Sequence, residues 1–210
     1  MDGSVDDRQW FIVDRWQRFE GEARANVLRI VSLGAFYAIE LMNARGLELG
    51  FLSIPKIEDV NHRAITLLCV AWTLLAVAIL VCLRRRIFPP SLPYISTFCD
   101  LVLLTSVLTV AGGARSPMVV GYFLIIALST LRFSLPLIWF ATAGSMIGYF
   151  CLLGCDRWFR DPPTSLPRYH QLTVLLALLL LGVMLGQVVR RVRKAADEYA
   201  ARLAGKGGDA

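Results

Sequence analysis

Glu40, Asp100 and Arg132 are ionisable side chains inside or at the ends of largely apolar runs. Asp100 lies roughly nine residues into one such run, in Phe98-Cys99-Asp100-Leu101. A carboxylate at mid-bilayer costs about 2.5–3.5 kcal/mol on insertion scales, so it is expected to face protein or water and not lipid. Two chemistries fit it. One is a proton- or cofactor-sensing acid; the other is a packing acid bonded to a hydroxyl such as Thr105 or Ser129. Arg132, in Leu131-Arg132-Phe133 ahead of Pro136, is placed either to snorkel to a membrane surface or to pair with Asp100. Glu40 is shallower in its own run.

Other reactive types are sparse. His62 and His170 open two apolar runs at matched depth, an arrangement that either ligates a haem or metal or simply marks an interface. The cysteines are Cys69, Cys82, Cys99, Cys151 and Cys155. Cys151 and Cys155 are four apart on one helical face, but no metal-site spacing joins the set, and buried small apolar residues explain it. The chain has no nucleotide-binding glycine loop, nucleophile elbow, zinc motif or His-Asp constellation. The expectation is a non-enzymatic protein with no cofactor of its own.

The elements that must hold these residues follow from composition. Of the 210 residues 56% are hydrophobic and 18% charged, against roughly 25% charged in soluble domains. A membrane-spanning helix needs about 20 apolar residues. Six windows meet or approach this length: 26–43, 65–83, 92–111, 117–132, 134–153 and 171–189. Period-two alternation is absent, which argues against a transmembrane barrel. The fold class is therefore all-α, an integral membrane bundle of six helices. Ahead of it, residues 1–25 form a polar segment in which Trp10, Val13, Trp16 and Phe19 recur every three residues, the pattern of an amphipathic helix lying in the interface or packed on the bundle. The N-terminus carries no signal-peptide pattern.

Lys and Arg near the helix ends set orientation. With the N-terminus inside, inner segments hold twelve and outer ones seven, and the two densest clusters, 84–86 and 190–194, fall on one side. Both termini are expected in the cytoplasm. The formal net charge of +6 is then a topology signal and not a nucleic-acid footprint. The outer loops, 44–64 and 154–170, are too short to bury a core of their own, so any stimulus must be read by the bundle.

Two small-xxx-small patterns, Gly144 with Gly148 and Gly182 with Gly186, allow close helix approach in lipid. The second lies on the last span and offers either a dimer contact or internal packing. That span continues through a basic cluster into the 190–210 tail with no Gly or Pro until Gly205. Leu185, Val188, Val192, Ala195 and Tyr199 follow steps of three and four, the start of a heptad seam. A helix that leaves the bilayer unbroken is a mechanical rod.

The most distinctive string is Ala111-Gly112-Gly113-Ala114-Arg115-Ser116-Pro117, between the third and fourth spans. Two glycines end one helix and Ser-Pro opens the next. The string and its setting resemble the Gly-Gly-x-x-(Asn/Ser)-Pro turn in six-span sensor regions of bacterial histidine kinases of the RegB-like and PilS-like groups. The layout is similar over about residues 27 to 200. In the redox-responsive kinases the matching turn is associated with quinone binding, which would implicate Gly112, Gly113, Ser116 and Pro117 here. This chain has Ser116 where that group has Asn and Met118 where it has Phe. No phosphoacceptor histidine region or ATP-binding domain follows.

The resemblance implies a sensor region of a bacterial inner membrane, relaying a membrane-state cue through its last helix to an effector in cis or in trans, as a homodimer. The alternatives are a small transporter using Asp100 near the midplane and an accessory membrane subunit.

Overall fold

The structure is a computed structural model. It describes residues 3–45, 59–85, 89, 91–158 and 166–206; within the helices, side chains at 3–18, 40, 43–45, 59–62, 197 and 199–206 are outside the description. Trp10, Val13 and Trp16, and also Glu40, His62 and Tyr199, thus fall outside the described side chains. Six α-helices follow one another: α1 Gly3–Arg45, α2 Asp59–Arg84, α3 Leu92–Val110, α4 Val120–Thr130, α5 Leu135–Trp158 and α6 Arg168–Lys206. No strand occurs among the described residues. Two short 3₁₀ turns, Gly113–Arg115 and Pro117–Val119, join α3 to α4.

Proline sets where several of these helices begin. Pro93 occupies the first turn of α3 and Pro136 that of α5, where a missing N–H leaves nothing unsatisfied. Pro167 sits just ahead of α6, and its carbonyl receives the N–H groups of His170 and Gln171.

Which faces are inside is the reverse of a water-soluble bundle. The outward stripe of α2 is apolar, with Leu67 70% and Leu74 64% exposed and Val70, Val77 and Val81 between and after them. Leu172, Leu176, Leu180, Met184 and Val188 make the same kind of stripe on α6. The buried set, by contrast, includes Glu22, Asn26, Arg29, Ser96, Thr97, Asp100, Arg132, Ser145 and Asp156 beside a core of Leu101, Leu104, Leu108, Ile126 and Leu152. Such an arrangement suits helices surrounded by hydrocarbon, where every interior polar group must find its partner within the protein.

Four helical stretches are long and apolar enough to cross a membrane: Arg63–Arg84, Leu92–Val110, Leu135–Trp158 and Arg168–Ala196. Two further expected windows are 26–43 and 117–132. The former lies on α1 and includes positions 40 and 43, whose side chains are outside the description. The latter is a short apolar helix, Pro117–Thr130.

Two boundaries differ instructively from the sequence expectation. The N-terminal segment is not a separate helix: α1 continues from Gly3 to Arg45 without a break at 25–26. Its one glycine in that region, Gly21, serves packing, since a Cβ there would stand 2.7 Å from the Leu131 carbonyl oxygen. Helix α5 runs to Trp158, beyond the apolar window ending at 153. The extra turn carries Asp156 inward, where its Oδ2 accepts the Ala114 N–H at 2.7 Å.

Candidate functional site: an ion-paired interior beside an apolar cleft

The polar interior is built from one stripe of α1. Glu22, Asn26 and Arg29 are spaced four and three apart, so they share a helix face, and each finds a partner on another element. Arg29 forms a two-pronged pair with Asp100 of α3: Nε lies 2.8 Å from Oδ1 and Nη2 2.7 Å from Oδ2. The Arg29 Nη1 donates to Asn26 Oδ1 at 2.8 Å, and Asn26 Nδ2 in turn donates to the Ala76 carbonyl of α2 at 3.1 Å. Trp72 Nε1 closes the group by donating to Asp100 Oδ1 at 2.8 Å. One pair thereby ties α1, α2 and α3 together.

A second pair lies one to two turns nearer the start of α3. Arg132, in the α4–α5 turn, stands 2.6 Å from Glu22 Oε2 through Nε, and the two side chains are 6% and 0% exposed. Its Nη2 donates to Glu22 Oε1 at 2.8 Å and Ser96 Oγ at 2.9 Å, and its Nη1 to Thr97 Oγ1 at 2.6 Å and the Pro93 carbonyl at 3.1 Å. Breaking such a buried pair on one side leaves an uncompensated charge, which is why both partners and their hydroxyl neighbours come as a set.

These contacts reassign two expectations. Asp100 is not bonded to Thr105 or Ser129: Thr105 Oγ1 meets the Tyr122 hydroxyl at 2.8 Å, and Ser129 turns back to the Ile126 carbonyl. Nor does Asp100 pair with Arg132, which is buried rather than snorkelling. Its partner is Arg29, a residue that sequence reasoning counted only as a topology charge. Glu22 was missed for a related reason, since the stretch around it reads as an interfacial helix. The signal that finds both is the 22-26-29 spacing of polar residues along one face at the edge of an apolar run.

The Gly-Gly turn is held by α5. Gly112 and Gly113 have φ of 111° and 72°, in the left-handed region, which glycine enters without steric cost. A side chain on Gly113 would run directly into the Asp156 carboxylate. Ser116 Oγ accepts the Met118 N–H at 3.3 Å, so it caps the turn that Pro117 starts. Gly112, Gly113, Ser116 and Pro117 thus all serve the hairpin.

The glycine pairs face inward as well. Gly182 is buried where a Cβ would collide with Thr142 of α5, and Gly186 packs beside Leu135. Gly144 meets Leu101, and Gly148 meets Thr105 and Tyr122. The Gly182–Gly186 face of α6 is therefore occupied within the chain. Its seam residues Val188, Val192 and Ala195 remain exposed, and Leu185 is half-buried. Farther along, Arg193 donates to the carbonyl of Phe133, the residue after Arg132. Phe133 itself has φ of 48°, in the left-handed region.

His170 is exposed in the first turn of α6. Among the described residues no group of three or more His, Cys, Asp or Glu could hold a metal ion.

Between α1, α2, α3 and α4 opens a cleft with a cavity volume of about 50 Å3. Arg29, Asp100 and Trp72 line it together with Ser32, Tyr37 and Cys69; Leu33, Phe36, Leu104, Leu124 and Ile125 are among its apolar walls. Of the turn region only Met118 reaches it.

Among the described residues, the fold and site define an all-helical bundle with four helical stretches long and apolar enough to cross a membrane, and an ion-paired interior. Compared with known proteins, the chain matches no family model, no curated protein and no solved structure.

Proposed function

We propose that this chain is a membrane input module of a signalling protein. In this reading all six helices cross a bacterial inner membrane, with α1 carried through by its ion pairs and the short α4 by the turns at its ends. Both termini are cytoplasmic, and the arginine clusters at 84–86 and 190–194 lie on the inner side. The module is non-catalytic. It senses a membrane-state cue in the bundle and passes it along α6 to a cytoplasmic effector in cis or in trans, as the likeness to RegB-like and PilS-like sensor regions suggests.

The observation that carries this reading is α6. It is a single helix from Arg168 to Lys206, about 58 Å long at 1.5 Å per residue, whereas the hydrocarbon core is about 30 Å thick. The surplus emerges as continuous helix, so displacement within the bundle reaches the far end without a joint to absorb it. Support also comes from the Arg193–Phe133 contact, which ties the emerging part to the same turn that carries Arg132. A homodimer would use the exposed Val188, Val192 and Ala195 seam, since the glycine face is taken by α5.

The test is disulfide cross-linking of single cysteines placed along 192–203 in native membranes. Symmetric dimers recurring every three to four positions are expected. Absence of cross-linking at every position removes the dimeric relay.

A further inference from the structure

The cleft beside the Arg29–Asp100 pair has mostly apolar walls, with Ser32, Tyr37 and Cys69 lining it besides the pair and Trp72. From Arg29 to Tyr37 it follows eight residues of α1, about 12 Å of helix. Its cavity volume is about 50 Å3, where a single water requires roughly 10–15 Å3. That is room for about three to five water-sized groups, as part of an unbranched chain presents them.

Arg29 offers donors. A guanidinium has five N–H groups. In Arg29 the Nε–H goes to Asp100, one Nη1–H to Asn26 and one Nη2–H to Asp100. Two N–H groups are left without a partner among the described residues. Asp100 is saturated by comparison, with Oδ1 receiving Arg29 and Trp72 and Oδ2 receiving Arg29 twice. An incoming group beside this pair must therefore be an acceptor. It must also be uncharged, because Arg29 already has Asp100 and Arg132 already has Glu22; an ionised head would enter with no counter-charge.

We propose that the slot binds a single-chain amphiphile from the lipid phase, whose small uncharged oxygen-bearing head, a hydroxyl or carbonyl, accepts a hydrogen bond from Arg29. The chain lies along Leu33, Phe36 and Leu124 toward Met118. This rests on the membrane-embedded reading above but not on relay through α6.

The experiment uses the full chain in phosphatidylcholine vesicles with one of two photoreactive probes. The first is a long-chain primary alcohol bearing a mid-chain diazirine; the second is the matching alkane without the hydroxyl. After irradiation, adducts are mapped by peptide mass spectrometry. The alcohol is expected to label the Leu33 and Leu124 peptides about tenfold more than the alkane, the factor that one hydrogen bond of about 1.4 kcal/mol to a charged donor gives. Leu33→Trp fills the slot and should abolish the excess while leaving adducts on the outward Leu67 and Leu74 unchanged. Arg29→Lys, which keeps the charge but removes the fork, should reduce it; if that variant does not fold, Leu33→Trp carries the test alone. Equal labelling by both probes, or an excess that survives Leu33→Trp, overturns the proposal. Adducts on Leu67 and Leu74 without slot adducts overturn the slot alone, whereas absence of both overturns the membrane reading beneath it.

Discussion

The two long helices, α1 and α6, are attached to the rest of the bundle by opposite means. Helix α1 is fastened by directional bonds: Glu22 to Arg132, Asn26 to the Ala76 carbonyl, Arg29 to Asp100. Helix α6 is fastened by close fit, with Gly182 against Thr142, Gly186 beside Leu135, and Leu178 and Val189 buried. Its polar tie beyond Val189 is the exposed Arg193 on the Phe133 carbonyl. Charged two-pronged pairs fix register and rotation together. Apolar and small-residue contacts in lipid have no such directional lock. The difference is one of attachment: α1 is locked in register by charge, whereas α6 is seated by shape.

The comparison can be broken most directly at Arg132. Arg132→Met leaves Glu22 buried without its cation and should destabilise the fold by about 3–5 kcal/mol, read as a fall in the thermal midpoint in detergent. The double variant Glu22→Leu with Arg132→Met should regain most of that loss. If the single variant were as stable as the parent, α1 would not be held by charge.

Gly182→Val tests the other side. Its side chain would meet Thr142, and overpacking of this kind costs about 1–3 kcal/mol. Adding Thr142→Ala should relieve part of it, a coupling measurable as a double-mutant cycle. Purely additive losses would mean that α6 does not seat on α5 at this point.

Smaller again is Gly113→Ala. The left-handed backbone alone costs about 1–2 kcal/mol for a side chain, and Asp156 must move aside as well. Because the turn joins α3 to α4, away from both long helices, cross-linking along 192–203 should keep its pattern while the thermal midpoint falls.

The smallest stability effect should come from Arg193→Ala, at most about 1 kcal/mol for an exposed contact. Its cross-linking pattern is nevertheless expected to change, because α6 loses its tie to the turn after Arg132. An unchanged pattern would show that the contact carries no positional information.

The helices were legible in the sequence because lipid-facing faces are apolar whatever they pack on, and long hydrophobic runs need no tertiary knowledge. The third window, 92–111, differs from α3 by a single residue. The Gly-Gly-x-x-Ser-Pro turn was legible for the same reason, since its backbone requirements are local. What stayed hidden was pairing. Asp100 announced that it needed a partner but not which one, because Arg29 is 71 residues away and looks like one more inner-side arginine. Glu22 was hidden because the polar segment ahead of the first window reads as an amphipathic helix lying in the interface or packed on the bundle. The extent of α5 was equally beyond a hydropathy window, because Asp156 prolongs the helix in order to reach the Ala114 N–H.

The unbroken length of α6 has one further geometric consequence. If the helix pivots where Gly182 sits on Thr142, the 24 residues from there to Lys206 form a lever arm of about 36 Å. A tilt of about 5° at the pivot then sweeps the far end through about 3 Å on that arm, more than half the rise of one helical turn. Sub-ångström repacking inside the bundle would leave the membrane magnified several-fold, with no hinge needed to do it.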